Sequence, residues 1–439
     1  MISQPGSVAA SAVDFEIACE RTGLDLVTML VSGDYAGATK SFDTAMKAAL
    51  PSDRLAEIWA AIVGANGMVV GLDKPVVRRS SHDAQFTIVV PVRFSGAILD
   101  ATVACDSSGL VAGLHFNAHH ASPEPGPVRE PDFEESVRID SQGVELEGSF
   151  FRPQTSSATF PAVLIIGGSG PTDRYGSIGP NKPLRDIAIG LAERGIAALA
   201  FDKRTHTYPE RPVSTVQEEL VDDSVQALRF LSEQPRVNPS RLFILGHSFG
   251  GTMAPLVAKK SGIASGLILL APTFESLDQA YFRQASYLAS IDGNIDRVEE
   301  AKLTEISRQL AELKSVKLGM SSDESLPLGI PVSYWKSLWS YDPIAIARNV
   351  NLPILALFAG RDYQVLADAS LAKLKNGLAD GPELEAHIYP ALGHTMMPMD
   401  DPPGPAKLLA PGQVSMKVVD DIAGWIVRQE RVEATMGGE

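Results

Sequence analysis

The chain has 439 residues, 45% of them hydrophobic and 21% charged, and a formal net charge of -15. This composition excludes a disordered polypeptide, and the acidity excludes nucleic acid as a partner, because phosphate contacts need clustered Lys and Arg. The charge is accounted for by solubility, and the length allows two or three domains, each with its own core.

The N-terminus, Met1-Ile2-Ser3-Gln4-Pro5-Gly6-Ser7, has neither the basic start nor the apolar stretch of a signal peptide. The longest apolar runs, such as 267–271, are far too short to span a bilayer. A soluble, cytoplasmic protein with no membrane partner is therefore expected. Its two cysteines, Cys19 and Cys105, have no CxxC or CxxH spacing, which argues against structural zinc. Two buried thiols are expected in that compartment, with a disulfide as the alternative.

Residues 1–116 read as a small α+β domain. Three helical patterns come first, over 13–30, 35–50 and 53–67, the first with a broad stripe of Phe15, Ile17, Leu24, Leu26, Val27 and Leu30. Pro51-Ser52-Asp53 supplies N-cap chemistry for the third. The period then switches to two. Strands are expected over 86–92, 97–104 and 110–116, with Ser95-Gly96 and Asp106-Ser107-Ser108-Gly109 as the turns. A linker follows over 117–132, where Ala121-Ser122-Pro123-Glu124-Pro125-Gly126-Pro127 should be stiff and extended.

Residues 133–439 read as one α/β domain. A hairpin over 134–139 and 144–151 precedes strands at 162–166, 196–201, 242–245 and 266–270, alternating with helices at 184–194, 216–234 and 252–260. Strands that are apolar throughout mean a mostly parallel sheet with helices on both faces. Residues 274–340 interrupt the alternation with helical segments such as 297–313, a polar Ser321-Ser322-Asp323-Glu324 loop and aromatics from Tyr334 to Tyr341; an inserted cap is expected there. Strands at 354–358 and 385–389 and a helix at 414–428 complete the sheet.

The strongest chemical signal is Gly246-His247-Ser248-Phe249-Gly250-Gly251, a G-x-S-x-G motif directly after an apolar strand and before a helix. A nucleophilic serine on a sharp strand-to-helix turn needs small neighbours, and the helix start aims backbone N–H groups at the reacting oxygen. Serine also needs a base, and the base needs an orienting acid, in the chain order Ser, acid, His. Asp362 ends the strand at 354–358, and His394 lies on the loop after the strand at 385–389. His387 falls within that strand, and His247 beside the serine is expected to pack rather than act as base. The oxyanion donors are expected to be the N–H of Phe249 and the N–H of Ser169, with Gly170 as the neighbouring alternative, from the loop Gly167-Gly168-Ser169-Gly170-Pro171. That loop lacks the G-x-G-x-x-G and P-loop patterns of phosphate binding. Asp202-Lys203-Arg204 is expected to be an ion-paired structural element beside the site.

Taken together, Gly168-Ser169-Gly170-Pro171-Thr172-Asp173-Arg174, Asp202-Lys203-Arg204, the serine motif, Gly360-Arg361-Asp362-Tyr363-Gln364-Val365 and Tyr389-Pro390-Ala391-Leu392-Gly393-His394 resemble a group of bacterial α/β-hydrolase carboxylesterases. That group is related to prolyl-oligopeptidase-like peptidases and acyl-CoA thioesterases. The resemblance implies the α/β-hydrolase fold and a cystatin-like or nuclear-transport-factor-like N-terminal domain, which residues 12–116 resemble. Tyr334-Trp335 and Tyr341-Asp342-Pro343 also match the group. The chain departs from it after Arg204: a Gly- and Ser-containing loop is replaced by Thr205-His206-Thr207-Tyr208-Pro209, a bulkier border to the site. Met396, Met397 and Met399 either line an adaptable apolar pocket or pack as loop residues.

The function expected is cleavage of a small-molecule carboxylic ester by Ser248, His394 and Asp362 through an acyl-enzyme, with no cofactor or metal. A thioesterase, lactonase, peptidase or carbon–carbon-bond hydrolase would use the same three residues. A non-catalytic ligand-binding homologue is the alternative of another class. For the N-terminal domain, ligand binding, covering of the active site and homodimerisation are the open roles.

Overall fold

Period-two apolar residues at Ile88, Val90 and Val92, matched by Ala101, Val103 and Cys105 on the next strand, give a sheet with one buried face. That sheet belongs to the first of two compact units, Met1–Gly126 and Pro127–Glu439, in the computed structural model. The structure describes all residues except 1–11, 73–74, 80–85, 96, 107, 119–132, 210, 292, 321–325, 327–328, 380 and 437–439. The proline-rich linker segment 121–127, part of the Ser95-Gly96 and 106–109 turns, and the 321–324 loop lie outside the described residues.

In the first unit, strands β1 (Val69–Leu72), β2 (Val76–Arg79), β3 (Phe86–Phe94), β4 (Ile98–Cys105) and β5 (Val111–Ala118) pair antiparallel. β3, β4 and β5 are the expected meander. β1 and β2 both pair with β3 and were not foreseen, since four residues are too few to show an alternation. The helix Ala12–Ser32 contributes buried Leu26, Val27 and Leu30 to the same core. The single helix expected over 35–50 is instead two, Tyr35–Ala38 and Thr44–Ala49, joined by a 3₁₀ turn at Thr39–Ser41. Asp43 explains the break: its carboxylate caps the Met46 N–H at 2.6 Å, while Phe42 beside it is buried and bridges to Val111.

The two cysteines correct a second expectation. They are not two buried thiols. Cys19 on the first helix and Cys105 at the end of β4 form a disulfide with Cα atoms 6.0 Å apart, 86 positions apart in sequence. Both cysteines sit on core-facing positions of their elements, which is what brings them together. Two thiols are the expectation for a cytoplasmic compartment, and the disulfide does not follow from that expectation. Among the described residues, no helix is long and apolar enough to cross a membrane.

In the second unit, eight strands form one sheet: β6 (Glu134–Ser141), β7 (Val144–Phe151), β8 (Phe160–Ile166), β9 (Ala197–Phe201), β10 (Val237–His247), β11 (Gly266–Leu270), β12 (Ile354–Ala359) and β13 (Leu384–Tyr389). Their order is β13-β12-β11-β10-β8-β9-β7-β6. β6 and β7 form an antiparallel hairpin, β7 pairs antiparallel with β9, and all other pairs are parallel. Every residue of β8, β9, β11 and β12 is buried, as a sheet covered on both faces requires. Helices Pro183–Glu193 and Met416–Met436 cover one face. Asp222–Ser232, Phe249–Ser261, Pro343–Val350 and Ala367–Gly377 cover the other. This is the α/β-hydrolase fold. Chain order reverses between β8 and β10, so the loops leaving these two strands diverge and open a crevice at their C-terminal ends. Between β11 and β12 stand the helices Leu277–Ala289, Arg297–Lys317 and Val332–Trp339, with a small core of Leu313, Val316, Leu326 and Trp335.

The disulfide closes a long loop, so removing it should release unfolded-state entropy. Cys19→Ala/Cys105→Ala is expected to lower the stability of the N-terminal unit by about 2–4 kcal/mol in denaturant melts. Thiol titration of the denatured, unreduced wild type should find no free thiol; two thiols would contradict the pairing.

Candidate active site

β10 runs directly into Ser248, which has φ 54 and ψ -119, a conformation rare for a residue with a side chain. The helix Phe249–Ser261 starts at the next residue. The turn closes because glycine stands where the backbone crowds. A Cβ on Gly246 would run into the carbonyl oxygen of Gly250, and one on Gly250 into those of Ile166 and Gly167. The Ser248 N–H donates to the Leu270 carbonyl at 2.7 Å, fixing the turn to the end of β11. Gly168 lies against the serine: a Cβ there would be 3.4 Å from that of Ser248.

The structure brings His394 and Asp362 together. His394 Nδ1 and Asp362 Oδ2 are 2.7 Å apart, with both residues buried. The other carboxylate oxygen, Oδ1, accepts the N–H groups of Gln364 and Val365 at 2.8 and 3.0 Å. Asp362 therefore has a fixed orientation, and the lone pair left for His394 points one way. His394 sits in a tight loop closed by Gly393 N–H to Met397 O at 2.9 Å and Met396 N–H to Gly393 O at 2.8 Å. Met396 pays for this with a positive φ of 59. His247, the neighbour of Ser248, reaches the same loop: its Nε2 lies 3.0 Å from the His394 carbonyl oxygen. A carbonyl only accepts, so this nitrogen carries the proton.

Neither the N–H of Ser169 after β8 nor that of Phe249 at the helix start donates to an acceptor among the described residues. The Gly168-Ser169 peptide belongs to the loop that lies against Ser248. The strained Ser248 turn thus has Gly168 of the β8 loop against it, and His247 beside the serine ties it to the loop of the buried His394–Asp362 pair.

Residues 182–401 match the family described as serine aminopeptidase, S33. Esterase EstD of Thermotoga maritima is 31% identical over 407 residues, covering 92% of this chain and 94% of that protein. The chain belongs to this family. It is a serine hydrolase. Residues 24–114 match a second family, described as a protein of unknown function (DUF3887). A polyketide transferase of Penicillium crustosum is 27% identical over 151 residues, 34% of this chain and 47% of that protein. Among solved structures, Est1E from Butyrivibrio proteoclasticus aligns with a TM-score of 0.44 at 15% identity, over 67% of this chain and 99% of that one.

After β9, the Asp202-Lys203-Arg204 element is ion-paired at each position. Asp202 pairs with Arg174 at 3.0 Å, Lys203 with Glu219 at 2.6 Å and Arg204 with Asp223 at 2.6 Å. His387 is within β13 and bonds to Glu385. Of the methionines, Met396 and Met397 join the core on one sheet face, and Met397 and Met399 line a pocket of about 200 Å³ beside the His394 loop.

The inserted segment is tied to the site at several points that the sequence did not reveal. Arg283 donates to the carbonyls of Tyr363 and Gln364 at 2.8 and 2.7 Å, directly after Asp362. Tyr287 stacks on Tyr363 with ring centroids 5.4 Å apart. Tyr334 donates to buried Glu219, and Tyr341 donates to the Thr252 carbonyl at 2.8 Å. None of these has a local sequence signature, because each joins residues far apart in the chain.

Burial, and then the proximity of His394, drive the His247 imidazole down to about 4 from 6.5. A base with a depressed folded value adds stability above its unfolded value and loses it as pH falls through that window. Unfolding midpoints should therefore drop between about pH 6.5 and 4. In His247→Gln, which keeps a donor for the His394 carbonyl, that decline should be flatter; an unchanged slope would contradict the assignment.

Proposed function

We propose that this serine hydrolase cleaves carboxylic esters through an acyl-enzyme on Ser248, with His394 as general base and acid and Asp362 as its orienting partner. The buried Asp362–His394 bond carries the proposal, because it holds the imidazole with Nδ1 protonated and leaves Nε2 to take a proton. His394 removes the Ser248 hydroxyl proton as Oγ attacks the carbonyl carbon. The Phe249 and Ser169 N–H groups receive the oxyanion, each worth roughly 10²–10³ in rate. Collapse of the tetrahedral species expels the alcohol, to which His394 returns the proton. Water, deprotonated by His394, then releases the acid and restores Ser248.

Two observations support an ester over the peptide suggested by the family's description. The full-length relative is described as an esterase. An aminopeptidase must also hold a peptide's ammonium, and four carboxylates of the loops and insertion described above are engaged already. Asp202 is taken by Arg174, Glu219 by Lys203 and Tyr334, Asp362 by His394, and Glu275 by Arg283. The 205–209 segment carries bulkier residues than the resembling group has, and it is where the acyl preference should be set.

Ser248→Ala should abolish hydrolysis of p-nitrophenyl acetate and butyrate, and Asp362→Asn should lower kcat by about 10³–10⁴. Wild-type-like turnover by Ser248→Ala would sink the mechanism. In a side-by-side screen, p-nitrophenyl esters should be turned over faster than aminoacyl p-nitroanilides; the reverse order would move the assignment to peptide hydrolysis.

A further inference from the structure

The peptide between Gly168 and Ser169 is held from one side by a side chain outside the mechanism. Lys203 is buried, and its ammonium has three hydrogens and three acceptors: Gly168 O at 3.1 Å, Gly170 O at 2.9 Å and Glu219 Oε1 at 2.6 Å. Its own backbone N–H donates to Thr172 O at 3.3 Å, so the residue grips the loop after β8 by both main chain and side chain. In a trans peptide the C=O and the N–H point in opposite directions. Drawing the Gly168 carbonyl toward Lys203 therefore turns the Ser169 N–H away from it. The Gly170 carbonyl precedes Pro171, which has no N–H, so that second bond anchors the loop without competing for a donor.

The anchor is itself held. Glu219 lies in a π-helical turn, Gln217–Val221, that interrupts the run into the helix Asp222–Ser232. One of its carboxylate oxygens takes Lys203, and the other accepts the Tyr334 hydroxyl from the inserted segment. Burial, followed by the Glu219 charge, pushes the Tyr334 phenol up, so it stays a donor. The chain Tyr334–Glu219–Lys203 thus runs from the insertion to the loop beside Ser248.

We propose that Lys203 is a positioning residue for transition-state stabilisation: by holding the Gly168 and Gly170 carbonyls it aims the Ser169 N–H at the oxyanion, with Glu219 and Tyr334 fixing its own place. This rests on the acyl-enzyme mechanism proposed above. It accounts for a buried lysine that touches no reacting atom, and it gives the Asp202-Lys203-Arg204 element a task beyond ion pairing.

The test is Lys203→Met combined with Glu219→Gln, which removes the grip without leaving a lone buried charge. Misaimed donors cost transition-state binding, so kcat for p-nitrophenyl butyrate should fall roughly 10- to 100-fold while KM stays within about threefold. The Ki of an aryl trifluoromethyl ketone, which forms a tetrahedral oxyanion on the serine, should rise by the same factor. The Ki of the planar competitor p-nitrobutyranilide should not move. A kcat near wild type, or an equal rise in both Ki values, would overturn the proposal. If the double variant does not fold, Tyr334→Phe should lower kcat several-fold at unchanged KM, and wild-type kcat there would overturn it. Ser248→Ala in parallel separates the two levels: residual turnover by that variant defeats the mechanism itself, whereas its inactivity beside an unimpaired Lys203 variant defeats only the role of Lys203.

Discussion

Two carbonyl oxygens at the end of β8 pass where a side chain on Gly250 would stand, two residues after Ser248 and its positive φ. That close approach of the β10 turn to the β8 loop is the constraint on which the crevice depends. It puts Gly168 in contact range of Ser248 and starts the helix Phe249–Ser261 beside the serine. A serine with these angles is strained, and the turn is held on both sides: by Leu270 through its carbonyl and by the close approach of the β8 loop backbone.

The remaining parts are fixed by polar contacts in the interior rather than by apolar packing alone. Asp362 uses three hydrogen bonds, two of them to its own loop, to present one oxygen to His394. His247 holds the His394 main chain from the serine side. Lys203 holds the β8 loop through the Gly168 and Gly170 carbonyls, and Arg283 holds the loop after Asp362 from the insertion. Buried polar groups of this kind are costly when half satisfied. Here each of the named groups has its partners, and the insertion contributes two of them, through Tyr334 and Arg283. The inserted helices are therefore part of what orders the site, in addition to bordering it.

Much of this was legible in the sequence, for reasons that can be named. Fully apolar strands separated by helical stretches leave few architectures besides a covered parallel sheet. The G-x-S-x-G turn, Asp362 after one strand and His394 after the next are signals that sit within a few residues of strand ends, where local pattern is informative. What escaped was long-range or short-lived in sequence. The Cys19–Cys105 disulfide joins two elements whose facing is a tertiary fact, and the favoured expectation of two thiols was wrong. β1 and β2 are too short for period two to show. Asp43 and Phe42 split a helix that composition alone would have continued. The Tyr334–Glu219–Lys203 chain joins three segments and hinges on a π-helical turn, which has no sequence signature.

The most direct measurement of the central claim is covalent labelling by a fluorophosphonate, followed by peptide mass mapping. An activated serine beside an oxyanion site reacts with such a probe, whereas ordinary serines do not. One adduct is expected, on Ser248, and it should disappear when the protein is unfolded before labelling. An unlabelled native protein, or an adduct on any other serine, would contradict it.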